Sequence, residues 1–329
     1  MSADTPAASI HAEGGPDGAS LVHPFLLVNS GSGGGKTQES IVALATGLHI
    51  DHHVVQPGDD FDAVLAAALD RGADPLAAAG GDGTLCAVAD VAMAHDLPMV
   101  VVPAGTRNHF ALDVGLDLTD PAGVLRASLT SGYERRVDVG TINGTTFLNN
   151  ASIGLYATAV DRADYRKHKV KAFVAAAREA HSRDAGGQAR LSLSLPGSSL
   201  IDIDEATSSV MVINNAYSPI FAPGKRLRPQ LDAGQVWVYV GGGLDREDSG
   251  IAAMFHAVGT AVSQSVLRAA FGAEQVVISA DRPDVPIAVD GENRPDLTAP
   301  FEFTSRPGAL RLLVPTDPAP RTVDVLLSW

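Results

Sequence analysis

The chain has a single cysteine, Cys86, in 329 residues, which excludes an internal disulfide framework and any multi-cysteine metal site. A reducing compartment is the expectation. Positive charge is also scarce: 24 Lys and Arg stand against 38 Asp and Glu, for a formal charge of -14. Nucleic-acid binding needs net basic character or a concentrated basic face, so no nucleic-acid partner is expected. No apolar run approaches the roughly 20 residues that cross a bilayer as a helix. The stretch Met1 to Ser20 lacks a basic start and an apolar middle, so it does not read as a secretory signal, and residues 1–22 read as a disordered Gly/Ala/Pro-rich tail. What is abundant is alanine, valine, leucine and glycine, the composition of an α/β protein with buried parallel strands. The length allows two domains.

From Pro24 to about Gly132 strand-like and helix-like patterns alternate. Phe25 to Val28 is a short apolar run, and Gln38 to Leu48 has helical spacing. An extended piece near Val54-Val55, a helix over Asp60 to Asp70, a strand over Asp74 to Ala79, a helix over Leu85 to His95 and a strand over Met99 to Val102 follow. That rhythm predicts a doubly wound α/β sheet, placed at residues 23–141 as a nucleotide-binding domain. Its ligands are expected beyond the carboxyl ends of the strands. From about Arg135 the texture changes to short strand-like runs: Thr145 to Asn149, Arg190 to Leu195, Ser209 to Ile213, Val236 to Val240, Val276 to Ser279, Ile287 to Val289, Phe301 to Phe303 and Leu310 to Val314. One helix-like stretch, Leu155 to Ser182, interrupts them. Residues 142–329 therefore read as a β-rich second domain, a sandwich or open barrel.

Four motifs carry chemistry. Asn29-Ser30-Gly31-Ser32-Gly33-Gly34-Gly35-Lys36-Thr37 follows the first strand and nearly matches a P-loop, except that Ser30 stands where the first glycine belongs. It is either an ordinary strand-to-helix turn or a phosphate cradle of non-Walker type with Lys36 adding positive charge. Gly80-Gly81-Asp82-Gly83-Thr84 ends the strand at Ala79. Its glycines allow phosphate oxygens to approach the backbone, while Asp82 has the wrong sign for phosphate and suits a cation riding on it. In Pro103-Ala104-Gly105-Thr106-Arg107-Asn108, Thr106 and Asn108 can donate to phosphate or ribose, or cap a helix. Val289-Asp290-Gly291-Glu292 is, by its local pattern, a hairpin turn. The first three motifs point to a nucleoside triphosphate with Mg²⁺.

In this order the motifs resemble the diacylglycerol kinase catalytic family, which includes bacterial lipid kinases and sphingosine kinases. The family's NPxSG-like loop, GGDGT loop, PxGTxNxxA segment and late DGE stand here as Asn29 to Gly33, Gly80 to Thr84, Pro103 to Ala111 and Asp290-Gly291-Glu292. Phe147-Leu148-Asn149-Asn150-Ala151-Ser152-Ile153-Gly154 and Asn214-Asn215 with Pro229 to Gly234 are further similarities, so the likeness runs from about Phe25 to Pro315. It implies an α/β nucleotide-binding domain joined to a β-sandwich-like domain, with the active site in the cleft between them. It also implies ATP-dependent phosphorylation of a lipid hydroxyl, diacylglycerol-like or sphingoid-like. On that reading Asn29, Ser30, Gly31, Ser32, Gly33, Gly80, Gly81, Asp82, Gly83, Thr84, Thr106 and Asn108 surround ATP. Asp82 serves Mg²⁺, and Glu292 is the general base. The chain departs from the family pattern at Ser30 in place of proline and at His109 in place of aspartate. Ala233 before Gly234 leaves a second-domain Mg²⁺ without its usual carboxylate.

A lipid kinase of this kind is expected in the cytoplasm, peripherally on membrane, with a homodimer possible. Arg162 to Arg183 and Lys225-Arg226-Leu227-Arg228 are locally basic and read either as lipid-docking surfaces or as solvated charged faces. Two rivals share the glycine loops: a kinase of a soluble molecule such as NAD, and a non-catalytic nucleotide-binding regulator. The PxGTxN segment stands against the first, and retention of Asp82, Thr106 and Glu292 against the second.

Overall fold

The computed structural model describes residues 23–29, 35–105, 108–154, 157, 189–196, 201–203, 207–217, 228–242 and 267–316. The expected helix over Leu155 to Ser182 lies outside these residues, apart from Ala157. The described residues of Met1–Val137 and Ala309–Arg321 form one unit, and those of Asp138–Gly308 form another. The first unit is thus built from two pieces of chain, unlike the continuous 23–141 block expected from sequence.

The first unit holds a parallel sheet. Strands β1 (Phe25–Asn29), β2 (Asp51–Val55), β3 (Leu76–Gly80) and β4 (Met99–Pro103) lie in the order β2-β1-β3-β4. The late part of β16 (Phe301–Pro315) runs parallel to β4, with Leu312 opposite Met99. Every residue of β3 and β4 is buried, as expected of central strands covered on both faces, and their continuous apolar sequences follow from that. No residue of β2 is buried, because it forms the sheet edge; its Asp-His-His start left only the Val54-Val55 end legible as the extended piece expected there.

Helices α1 (Gly35–Gly47), α2 (Phe61–Asp70), α3 (Asp82–Ala94), α4 (His109–Val114) and α5 (Pro121–Ser131) complete the unit. Leu26, Val28, Ala77, Ala79, Val100 and Val102 pack on one face against Ile41 and Ala45 of α1 and Leu125 and Leu129 of α5. Successive strand residues alternate sides, so the buried Leu27, Ala78 and Val101 face the opposite side, where α3 lies on β3 and α2 on α3. Each fully buried Leu or Val contributes about 1.5–3 kcal/mol relative to exposure.

The second unit is antiparallel. One sheet has the order β12-β11-β10-β7-β14-β15, formed by Leu267–Ala273, Val236–Gly242, Thr207–Asn214, Asn150–Gly154, Ile287–Val289 and Glu292–Asn293. The other contains the early part of β16, β13 (Gln275–Ala280), β8 (Leu191–Ser194) and β9 (Ile201–Ile203), with β5 (Gly132–Ile142) and β6 (Thr145–Phe147). Ile153, Val210, Val238, Val276, Ile278 and Phe303 share one core, so the two sheets form a sandwich. Phe147 packs edge-on against Phe303 at 6.3 Å and lies over Gly140, where a Cβ would sit 2.3 Å from its ring.

The fold class expected from sequence, α/β with a β-sandwich-like second part, is what the structure shows. Two of its details change. Phe301 to Phe303 and Leu310 to Val314 are one strand, because Pro307-Gly308, which reads as punctuation, is carried inside β16. There Gly308 takes φ +57° and donates its N–H to Asp138 Oδ1 at 2.8 Å. Strand β5 escaped notice because its sequence is charged; Asp138 within it is 1% exposed.

Candidate active site

Three strand ends of the first unit converge. The sheet order places β1 beside β3, and the crossover from β1 leads to β2 on one side while β3 lies on the other, so a switch point falls between β1 and β3. At that point Asn29, the last residue of β1, donates from Nδ2 to Thr84 Oγ1 in the first turn of α3 at 2.9 Å. The neighbouring turn after β4 closes on the turn after β3: a Cβ on Gly105 would lie 2.7 Å from Gly81 Cα and 2.9 Å from the Gly80 carbonyl oxygen. A Cβ on Gly80 would meet the Thr84 side chain at 2.8 Å. Glycine is therefore required at 80 and 105 by the approach of backbone to backbone and to Thr84.

The helix starts here differ from the others in the unit. Asp60 caps α2 by accepting from the N–H groups of Asp62 and Ala63, and Asp120 caps α5 by accepting from Gly123 N–H. The N-cap of the 13-residue α3 is Gly81, in extended backbone, with no side-chain cap. At α4 the N-cap Asn108 is left-handed (φ 48°, ψ 37°), and its Oδ1 turns back to accept Gly105 N–H at 2.7 Å. The first-turn N–H groups of α3 thus present partial positive charge at a helix end whose N-cap residue supplies no side-chain acceptor. Asp82, half-buried, is the first residue of that helix, and its charge is favourable there.

Of the nucleotide residues expected from sequence, Asn29, Gly80, Gly81, Asp82, Gly83, Thr84 and Asn108 lie at these strand ends. Ser30, Gly31, Ser32, Gly33 and Thr106 lie outside the described residues. Lys36 is exposed at the second position of α1, and His109 is exposed at the first position of α4. Asn108 serves the loop itself, where sequence offered it either to ligand or to a helix cap.

Glu292 belongs to the second unit. It is exposed, opens β15 and pairs with Val289 across a two-residue turn in which Asp290 and Gly291 take φ of 47° and 84°. Two consecutive positive φ values define a primed hairpin turn, as the Asp-Gly pair predicts. The same Asp290 does more than turn the chain. Its carboxylate accepts N–H bonds from Leu148, Asn149 and Asn150, each at 2.9 Å, and its own N–H donates to Asn150 O at 2.8 Å. Glu292 is therefore mounted two residues from an anchored carboxylate. The anchor was missed in the sequence because its partners lie 140 to 142 residues away.

Arg228, which sequence placed in a basic surface knot, is 2% exposed and bonds inward, so it contributes nothing to a surface charge. Lys225 to Leu227, and the basic stretch Arg162 to Arg183, lie outside the described residues. Asp232 is exposed, while the buried Asp138 accepts the N–H groups of Gly234 and Gly308. Among the described residues no three His, Cys, Asp or Glu side chains gather to hold a metal. Asp82 alone fits Mg²⁺ that takes its other ligands from phosphate and water, the usual binding mode of that ion. A dedicated protein cage for it does not form among these residues.

A doubly wound sheet with glycine turns and a helix without a side-chain cap at its switch point is an arrangement suited to phosphate oxygens. Residues 23–142 match the diacylglycerol kinase catalytic domain, which bears out the family resemblance over that segment. A protein of Pseudomonas fluorescens named "Probable lipid kinase YegS-like" is 35% identical over 127 residues, 37% of this chain and 42% of its own length. A diacylglycerol kinase of Mycobacterium tuberculosis is 31% identical over 148 residues, 42% of this chain and 48% of its own. The matches thus span less than half of these relatives. In fold, a crystal structure of a diacylglycerol kinase from Bacillus anthracis covers 89% of this chain and 96% of its own, with a TM-score of 0.62 at 19% identity.

Proposed function

We propose that the chain is an ATP-dependent kinase that phosphorylates the hydroxyl of a diacylglycerol-like or sphingoid-like lipid. The observation that carries this reading is the meeting of Asn29, the Gly80-to-Thr84 loop, Gly105 and Asn108 at one switch point, within the segment that matches a diacylglycerol kinase catalytic domain. Uncapped N–H groups of α3 would take phosphate oxygens, and Asn29 and Thr84, bonded to each other, would hold the cradle's shape. Asp82 would ligate Mg²⁺, which when bound neutralises phosphate charge. Phosphoryl transfer needs little covalent help, so positioning and charge supply most of the rate.

Glu292 would receive the proton of the lipid hydroxyl, a step contributing about 10²–10⁴-fold. Its exposure suits contact with an incoming substrate, and the Asp290 anchor limits its wandering. The protein would work peripherally at a cytoplasmic membrane face, with Arg162 to Arg183 as the docking segment and a homodimer as a possible assembly. Among the described residues no helix is long and apolar enough to cross a membrane.

The test is transfer of labelled phosphate from ATP to diacylglycerol, sphingosine and NAD in parallel. Label on a lipid supports the proposal. Label on NAD alone, or on nothing while ATP still binds, overturns it.

A further inference from the structure

A buried cation grips two of the three residues that Asp290 grips, Leu148 and Asn149. Arg228 donates from Nη1 to Leu148 O at 2.6 Å and to Asn214 O at 2.7 Å, and from Nη2 to Asn149 Oδ1 at 3.2 Å. Leu148, Asn149 and Asn150 form the short strap that leads into β7. Asp290 holds this strap by its N–H groups, and Arg228 holds it by a carbonyl and a side-chain oxygen. Asn214 N–H donates to Asn149 O at 3.0 Å, so the end of β10 is tied into the same knot.

The consequence reaches Glu292. Asp290 takes its place from the strap, and Glu292 follows Asp290 by two residues through a turn with little freedom. Arg228 in turn fixes the Leu148 carbonyl and the Asn149 side chain of the strap. Burying a guanidinium is unfavourable compared with an apolar side chain of similar volume, so stability alone is a weak reason for arginine here. Its planar fork addresses several oxygens at fixed angles, which an apolar side chain cannot do.

We propose that Arg228 is a positioning residue for the base Glu292, acting through the Leu148-to-Asn150 strap and the Asp290-Gly291 turn. The inference rests on the assignment of Glu292 in the proposed function. Arg228 transfers no proton and touches no substrate. Displacing a catalytic group by about 1 Å can cost on the order of 10²-fold, so loosening the strap acts on turnover rather than on nucleotide affinity.

The experiment is a double-mutant cycle on the full chain. It measures kcat and the KM for ATP for Arg228→Met, Glu292→Gln, the double variant and Arg228→Lys, with the lipid phosphorylated best in the panel above. We expect Arg228→Met to lower kcat roughly 10- to 100-fold with the KM for ATP unchanged. Arg228→Lys recovers part of the loss, and the double variant is no slower than Glu292→Gln alone. If Arg228→Met fails to fold, Asn149→Ala, which removes only the Nη2 acceptor, takes its place in the same cycle. Equal slowing on both backgrounds, or a normal rate for the strap variant, overturns the positioning role while Glu292 stands. A normal rate for Glu292→Gln overturns the assignment of the base and this inference with it.

Discussion

At the carboxyl end of the parallel sheet Gly105 comes so near Gly81 that a methyl group would lie 2.7 Å from its Cα; at the Asp290 turn one carboxylate is surrounded by three N–H groups. The first region holds its shape by what is missing, the second by what is added. Omitted side chains leave a local record, because glycine must recur at fixed positions along one short segment. Added hydrogen bonds leave none, because Asp290 and its partners are some 140 residues apart. This is why the glycine loops were readable in the sequence and the support of Glu292 was not. The sharpest break of the comparison is Glu292→Gln. It keeps shape and removes the proposed base, so kcat should fall by about 10²–10⁴-fold while ATP binding by calorimetry stays near the wild-type value. Unchanged turnover would leave the second region purely structural.

Next in size is Asp82→Asn, which tests whether the first region carries a metal ligand as well as a shape. Losing one charged contact corresponds to about 1.5–3 kcal/mol, or roughly 10- to 100-fold in affinity. The Mg²⁺ concentration giving half-maximal activity should rise by that order. An unaltered metal titration would reduce Asp82 to a favourable charge at the start of α3.

Gly105→Ala isolates shape from charge. The new methyl would meet backbone at Gly80 and Gly81, which cannot swing aside like a side chain, so overpacking of about 1–3 kcal/mol is expected. It should appear as a lower melting temperature together with a raised KM for ATP. Gly80→Ala should cost a similar amount, since its obstacles include Thr84 Cβ at 2.8 Å, which the helix backbone holds in place. An unchanged melting temperature for Gly105→Ala would mean that the two turns do not constrain each other.

The same contrast between local and distant causes runs through the fold. Strands β3 and β4 were legible because burial on both faces demands unbroken apolar sequence, and Asp60 announced the start of α2. Strand β5 was illegible because its charges are answered elsewhere: Asp138 by Gly234 and Gly308, Glu134 by Arg311. Arg228 is the clearest failure. Three basic residues among Lys225 to Arg228 look like a surface, and nothing nearby reveals that the last points into a knot of asparagines. The return of residues beyond Ala309 to the first unit has the same origin, because pairing of Leu312 with Met99 spans most of the chain.

The smallest effect concerns that returning strand. Arg311 meets Glu134 at 2.7 Å and Asp96 at 3.4 Å, a distant pairing like that of Asp290 but partly in water. Its hydrogen bond to Glu134 holds that carboxyl below its ordinary value of 4.5. A carboxyl lowered on folding adds stability above its unfolded pKa and loses it as pH falls through the folded one. Asp74 runs the other way: burial raises its carboxyl, so its contribution declines as pH rises through the raised pKa. With the Glu134 side chain 38% exposed, solvent screening keeps the pair to about 0–1 kcal/mol. Glu134→Gln should therefore lower stability by less than about 1 kcal/mol at pH 7, and the deficit should close below pH 4.5 in urea unfolding. A loss that matches Gly105→Ala, or one that persists in acid, would show that this partly exposed pair fixes the returning strand as firmly as buried contacts do.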